Sequence, residues 1–495
     1  VLQGKRSNYE GDLFTAILRA TAERAGTRYG QDPAADVAMR VIADHARALC
    51  FLVADGVIPA NDNRGYVVRR ILRRAIRYGR KLGITEPFLH EVTPVVLDEM
   101  GDAYPELLSA REAILEVGRR EEVQYAETVT TGIQMLEEAA VAARGEDRGG
   151  PDGPVLPGRE LFRLYDTFGL PLDLAQDVAD EQGFRLDLEG FEAEMAKQRT
   201  RAQASWKEAR GQEASSTYGE LAGRIESRFV GYDRTRLDDA RVVAILRDGA
   251  VQDRLEEGER GEVVLDATPF YAEAGGQVGD TGTLAGESVR ARVTDTRRPA
   301  AGLVVSRATV EHGALAVGDR VAAEVNGARR EAIRRNHTAT HLAHAALREI
   351  VGAHVKQAGS LVAPDRLRFD FSHFAGLSER ALVDIEDRVN EKILEAIDVS
   401  TETMGIDDAL KSGAMALFGE KYGDAVRVVR IGDFSLELCG GTHVRSSADI
   451  GLFKVTQERG IASGVRRIEA VTGADSLARF QELQSVVGRL EELLS

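Results

Sequence analysis

From Ala34 to Asp55 apolar residues return every three or four positions, the period of a helix with one buried face. Arg64 to Leu82 keeps that period but is densely basic, and Glu106 to Ala143 gives a further long helical stretch. A run rich in Gly and Pro, residues 145–158, breaks the pattern as a loop does. Helical spacing then resumes and ends in a polar stretch from Gln198 to Ser216. The pattern predicts an all-α region over residues 1–217.

The period then shortens. Val242–Leu246, Glu262–Leu265, Val289–Val293, Leu303–Val310 and Val321–Val325 are short β-rich runs between Gly and Asp turns. Strands of this length and spacing predict a small β-barrel over 218–327. From Arg329 helix and strand alternate, with a helix to Ile350, strands near 355–362 and 367–371, a helix over 379–396, and four further strands up to Val471. That is the pattern of an α+β domain, placed at 328–473. Leu477, Phe480, Leu483, Val487, Leu490 and Leu494 then mark the start of a long helix or coiled-coil seam over 474–495.

Composition narrows the chemistry. The 495 residues carry a formal net charge of -16, which argues against a generic nucleic-acid coat and leaves room for a local basic patch. Two cysteines cannot build a disulfide framework, and no apolar run has the ~20 residues of a membrane helix. A reducing, cytoplasmic compartment is expected. The chain starts at Val1 and ends in an apparent helix, which reads as a cut at both ends.

Against so few cysteines and only nine histidines, two short motifs stand out, His337-Thr-Ala-Thr-His341 and Cys439-Gly-Gly-Thr-His443. Residues four apart on a helix lie one above the other, so His337 and His341 face one point, in the first turns of a helix opening near Arg334–Asn336. Gly440 and Gly441 permit a tight turn with positive φ that folds Cys439 and His443 back together. Three imidazoles and a thiolate form a tetrahedral set suited to one Zn2+ ion, not to Mg2+ or Ca2+. His344, on nearly the same face, is expected to support or pack against the site. Four protein ligands would close the coordination sphere, whereas three plus water would make a Lewis acid; the sequence leaves both open.

A second cluster is cationic. Arg69, Arg70, Arg73, Arg74, Arg77, Arg80 and Lys81 recur at spacings of three and four in an otherwise acidic chain, as a phosphate-binding face does.

Longer motifs carry a family resemblance. His337-Thr-Ala-Thr-His-Leu, Gln357-Ala-Gly-Ser-Leu-Val, Leu367-Arg-Phe-Asp-Phe-Ser-His373, Cys439-Gly-Gly-Thr-His-Val and the segment from Ser463 to Gly473 resemble the editing domain of the alanyl-tRNA synthetase family. The segment from Pro59 to Ala75 is similar to that family's tRNA-recognition helix, and Leu164-Tyr-Asp-Thr-Phe-Gly169 to a second recognition loop. The run from Thr268 to Gly282 resembles the barrel that precedes editing, with Ala274 where the family often has Ser. Leu170 stands where an aromatic is frequent.

The resemblance covers nearly the whole chain. It implies that Asn61 and Asp166 meet the G·U pair of the tRNA(Ala) acceptor stem, and that Thr340 and Gln357 tune editing. It implies hydrolysis of mischarged Ser-tRNA(Ala) and Gly-tRNA(Ala), with backbone groups of Gly440 and Gly441 as oxyanion donors. It also implies a chain without the family's aminoacylation domain and C-terminal domain. ATP and Mg2+ are then expected only in the missing part, and the oligomeric state is expected to depend on the missing C-terminal portion. A tRNA-binding module with purely structural zinc and a free-standing editing hydrolase are the competing readings.

Overall fold

A computed structural model describes residues 4–5, 7–60, 63–145, 154–168, 170, 172–197, 216–415, 423–462 and 464–494. The chain divides into two compact units, Val1–Glu213 and Ala214–Ser495.

In the first unit the helix Asp12–Arg24 packs against Pro33–Ala54 and Leu89–Met100, and these last two, with Asn63–Lys81, pack against the long helix Arg111–Gly145. Asp32 caps the second of these, accepting from Ala34 N and Ala35 N ahead of a proline at the first turn. That helix buries Met39, Ile42, Leu49 and Val53 completely. Further on, Leu136, Leu156, Leu161 and Leu164 form a second apolar cluster. The region is not all-α: Val155–Leu156 and Arg185–Leu186 form a parallel two-stranded ladder. Two such short strands lack the alternation by which a longer strand betrays itself. Leu164 to Phe168, expected in a loop, lie in the helix Gly158–Phe168.

The second unit opens with a seven-stranded sheet. Its order is Arg320–Val325, Gly282–Ala285, Arg290–Ala300, Leu303–His312, Arg260–Leu265, Arg236–Arg247, Ala250–Gln252. Arg320–Val325 also pairs antiparallel with Arg236–Arg247, which closes the sheet on itself and removes two edges. Val321, Ala323 and Val325 alternate inward in period two and meet Val263, Leu265, Leu284 and Val293 in an apolar interior.

Beyond the barrel lie a four-stranded antiparallel sheet, ordered Gln357–Val362, Leu367–Ser372, Val465–Thr472, Phe453–Ala462, and a three-stranded one, Val399–Gly405, Ala425–Ile431, Ser435–Leu438. The strand Val399–Gly405 escapes sequence periodicity because most of its residues are exposed and no apolar alternation marks it. The helices Gly327–Ile350 and Glu379–Leu394 share one core with these strands, built from Leu342, Leu347, Phe369, Phe371, Ile385 and Phe453.

The helix Gly327–Ile350 begins seven residues before the expected opening at Arg334, because the Asn326 side chain caps it by accepting from Arg329 N. His337 and His341 therefore sit in mid-helix, within a stretch from Asn336 to His344 that is buried throughout. The helix Gly473–Leu494 follows the last strand. Among the described residues no helix is long and apolar enough to cross a membrane.

Candidate functional site

The fold brings His337, His341, Cys439 and His443 together, with one ligand atom from each lying within 4.8 Å of all the others. Cys439 Sγ is 3.4 Å from His337 Nε2 and 3.4 Å from His443 Nε2. A tetrahedron with Zn–N of ~2.1 Å and Zn–S of ~2.3 Å has edges of roughly 3.3–3.6 Å, so these separations suit zinc.

The hydrogen bonds behind the rings add a second test. His337 Nδ1 lies 2.8 Å from Gln277 Oε1, His341 Nδ1 2.9 Å from Glu437 Oε2, and His443 Nδ1 3.2 Å from Thr338 Oγ1. Each Nδ1 thus faces an oxygen, which leaves each Nε2 as the ring nitrogen directed at the common point, the arrangement of metal-ligating histidines. His341 Nε2 is buried without a hydrogen-bond partner, as a ligand atom awaiting a cation would be.

The Thr338 hydroxyl is fully used. It accepts from Val444 N at 3.2 Å and lies 3.0 Å from Arg334 O, to which it donates when His443 Nδ1 carries its proton. Glu437, nearly buried, bridges His341 and His344, with His344 Nδ1 3.0 Å from its second oxygen. His344 is therefore a support held by Glu437.

Charges follow this geometry. Burial opposes a charged Glu437, but His341 and His344 beside it outweigh that cost and hold its carboxyl well below the usual range. Burial likewise opposes a charged His341, yet Glu437 and Cys439 push it up to about 10. Burial and the neighbouring His337 hold His443 down to about 3. Burial would raise the Cys439 thiol, but His337, His443 and His341 bring it well below its ordinary value, so it is disposed to the thiolate a metal requires.

The Cys439-Gly-Gly loop is shaped by close approach. Neither Gly440 nor Gly441 has positive φ, which corrects the expected turn. A Cβ at Gly441 would stand 2.0 Å from His337 Cε1, so only glycine fits under the ring; at Gly440 nothing lies within 4 Å. Tyr232 OH donates to Gly440 O at 2.6 Å, and Arg427 Nη1 donates to Gly441 O at 2.6 Å while its guanidinium stacks 4.1 Å from the Tyr232 ring centroid. Gly441 N donates to Cys439 Sγ at 3.4 Å, so of the two expected oxyanion donors its N–H is already engaged.

Thr340 is buried, and its hydroxyl donates to Asn336 O at 2.8 Å on its own helix. Gln357 is half-buried at the start of its strand, opposite Phe371. The sequence pattern missed Gln277, Glu437 and Thr338. Thr338 lies between the two histidines and Glu437 two residues before the cysteine, which is the only local signal they give; Gln277 is 60 residues from the ring it holds.

The basic helix Asn63–Lys81 divides into two faces. Arg69 Nε reaches Glu121 Oε1 at 2.9 Å and Arg73 Nε the same oxygen at 3.4 Å, so a buried carboxylate from the next long helix holds these two. Arg70, Arg74, Arg80 and Lys81 are exposed, and Arg77 is half-buried. Asp166 is exposed on its helix, and Asn61 lies outside the described residues.

With these sites in view, similarity to known proteins fixes the family. Residues 426–469 match a domain described as the threonyl and alanyl tRNA synthetase second additional domain, which includes Cys439 and His443. The chain is 51% identical over 492 residues to an alanine–tRNA ligase of Anaeromyxobacter sp., spanning 97% of this chain and 54% of the relative. It is 50% identical to one of Methylococcus capsulatus (99% and 55%) and 48% identical to one of Geobacillus thermodenitrificans (98% and 54%). The chain thus spans about half the length of these curated relatives.

The family model described as tRNA synthetases class II (A) matches residues 1–329. This match corrects the expected organisation: the helical region and the barrel fall within the synthetase model, so a separate all-α recognition region standing before an editing unit is not the right division. The expectation of a chain lacking the aminoacylation domain falls with it, as does the confinement of ATP and Mg2+ to a missing part. Because that match covers 329 of the 495 residues, the chain belongs to the class II (A) tRNA synthetases.

Proposed function

We propose that this chain recognises tRNA(Ala) and removes serine and glycine from mischarged tRNA(Ala) at a zinc centre formed by His337, His341, Cys439 and His443. The observation that carries the reading is the convergence of these four ligand atoms beside a segment matching the threonyl and alanyl synthetase additional domain. The alanine–tRNA ligase relatives supply the amino acid and the tRNA, and the class II match supplies ATP and Mg2+ as cofactors of the parent reaction. The cytoplasm, where tRNA is charged, is the compartment that goes with this activity.

Such a site answers a physical need. Alanine differs from glycine by a methyl and from serine by a hydroxyl, and an apolar pocket separates such neighbours by only about 1–3 kcal/mol. A second site that hydrolyses the wrong ester closes the gap. Zinc, when bound, supplies positive charge to hold or polarise the acceptor end. Thr340, one residue from His341, and Gln357, half-buried on its strand, are placed in this reading to sense the aminoacyl group. Gly440 N–H is the remaining candidate donor to the developing oxyanion, since Gly441 N–H faces Cys439 Sγ. In hydrolysis the oxygen of water bonds to the ester carbonyl carbon, the bond to the ribose oxygen breaks, and that oxygen leaves with a proton. On the basic helix, Arg70, Arg74, Arg77 and Arg80 contact phosphate, whereas Arg69 and Arg73 hold the helix to Glu121.

A second reading has its own support: four protein ligands close a zinc site, the habit of structural zinc. The deciding experiment is deacylation of Ser-tRNA(Ala) by the purified chain, its Cys439→Ala variant and chelator-treated protein. Hydrolysis that falls in both treatments supports the proposal. No hydrolysis above buffer refutes the enzyme. Full hydrolysis after zinc is removed leaves the metal a structural role.

A further inference from the structure

We propose that the β-barrel supplies a working part of the metal centre: Gln277 is a positioning residue that fixes the tautomer and aim of His337. The inference rests on the metal reading above.

Gln277 is wholly buried, in the segment that leads to the strand Gly282–Ala285 of the barrel. Its amide orientation is set by its neighbours. Oε1 must accept, because Thr442 N–H donates to it at 2.9 Å; Nε2 then donates to Thr442 Oγ1 at 3.0 Å. With Oε1 fixed as acceptor, His337 Nδ1 at 2.8 Å has to be the protonated nitrogen. The free lone pair of His337 is then on Nε2, the atom beside Cys439 Sγ. One side chain thus positions a ligand on the helix and, through Thr442, the loop that carries Cys439 and His443.

The backbone that aims Gln277 is itself docked on the α+β domain. Gly276 O accepts from Val362 N at 2.7 Å and Val278 N donates to Val362 O at 3.1 Å, so the barrel segment lies as a parallel bridge on the edge of the strand Gln357–Val362. Gly276 has φ of +82°, and a Cβ there would meet Ser360 O at 2.6 Å, so this close docking requires glycine. A buried clamp holds the same segment to the ligand helix: Arg330 Nε lies 3.0 Å from both oxygens of Asp280, and its other nitrogens donate to Gly231 O at 2.7 Å and Pro269 O at 3.0 Å. Packing in the α+β domain alone leaves His337 Nδ1 without this partner.

The test compares the full chain with Gln277→Met, which fills the space without an acceptor, and Gln277→Glu, which restores one. Zn2+ affinity is measured by chelator competition and ligand geometry by the visible spectrum of the Co2+ form, with circular dichroism to check the fold. The parent binds zinc; Gln277→Met, still folded, loses about 10–100-fold in affinity and shows an altered Co2+ spectrum; Gln277→Glu stays near the parent. If the parent fails to bind zinc, the metal reading falls. If the parent binds and Gln277→Met binds equally with an unchanged spectrum, the positioning role is overturned. If Met and Glu variants are weakened alike, the acceptor is not what Gln277 contributes. If Gln277→Met unfolds, the Glu variant decides alone, parent-like affinity supporting the role and weakened affinity overturning it.

Discussion

A methyl group added at Gly441 tests the proposed metal centre more sharply than removal of a ligand. In Gly441→Ala the new Cβ would stand 2.0 Å from His337 Cε1, 2.4 Å from its Nδ1 and 3.0 Å from Gln277 Oε1. Ordinary contact begins near 3.4 Å, so the ring or the loop must yield by more than 1 Å. Metal–ligand distances tolerate about 0.2 Å, so a shift of that size takes His337 out of the coordination sphere. Overpacking of a filled site adds a folding cost of about 1–3 kcal/mol. Zinc affinity of the variant, measured by competition with a chromophoric chelator, should fall at least ~100-fold, by analogy with the upper range for disturbed metal ligation. Gly440→Ala is the control, because its Cβ meets nothing within 4 Å and its backbone is not in the positive-φ region. That variant should bind zinc like the parent. Parent-like zinc affinity in Gly441→Ala, or equal losses at the two positions, would refute the close-approach account of the loop.

Four further outcomes follow from the structure. In the metal-free chain Glu437 ionises below its unfolded value near 4.5, so its stabilisation is present above that pH and lost on acidification; His341, raised from 6.5 to about 10, stabilises fully below 6.5 and less as pH rises through 10. The pair therefore supports the metal-free fold most between about pH 4.5 and 6.5, and Glu437→Gln should flatten this dependence in urea melts. Arg330→Met leaves Asp280 charged and buried without its partner and should cost about 3–5 kcal/mol in denaturant unfolding; a loss under 1 kcal/mol would contradict the clamp. Arg70→Ala and Arg74→Ala should each weaken tRNA binding and reduce the salt dependence by about one released counterion. Arg69→Ala should instead lower thermal stability by taking from buried Glu121 the nearer of its two arginine partners, and an unchanged melting temperature would tell against that division.

The candidate ligand cluster was legible because two short spacings put rare residue types together, and residues four apart on a helix or across a Gly-Gly loop are close whatever the rest of the chain does. The strands of the barrel were legible where apolar alternation runs long enough, as in Leu303–His312, and not where only Leu284 faces inward in Gly282–Ala285. The strand Val399–Gly405 carried no signal because its faces are mostly in water. The basic helix showed its cations but not which of them are spent on Glu121, 52 residues from Arg69.

The sequence by itself determined the candidate donors: three imidazoles and one thiol, with glycine where the loop passes under a ring. Tertiary structure alone decided which nitrogen of each histidine faces the common point. Gln277 reaches His337 across 60 residues and Thr442 across 165, and Glu437 reaches His341 across 96. Local periodicity cannot encode such pairs, because they form only when two separately built layers close over one another and every buried polar atom must find a partner.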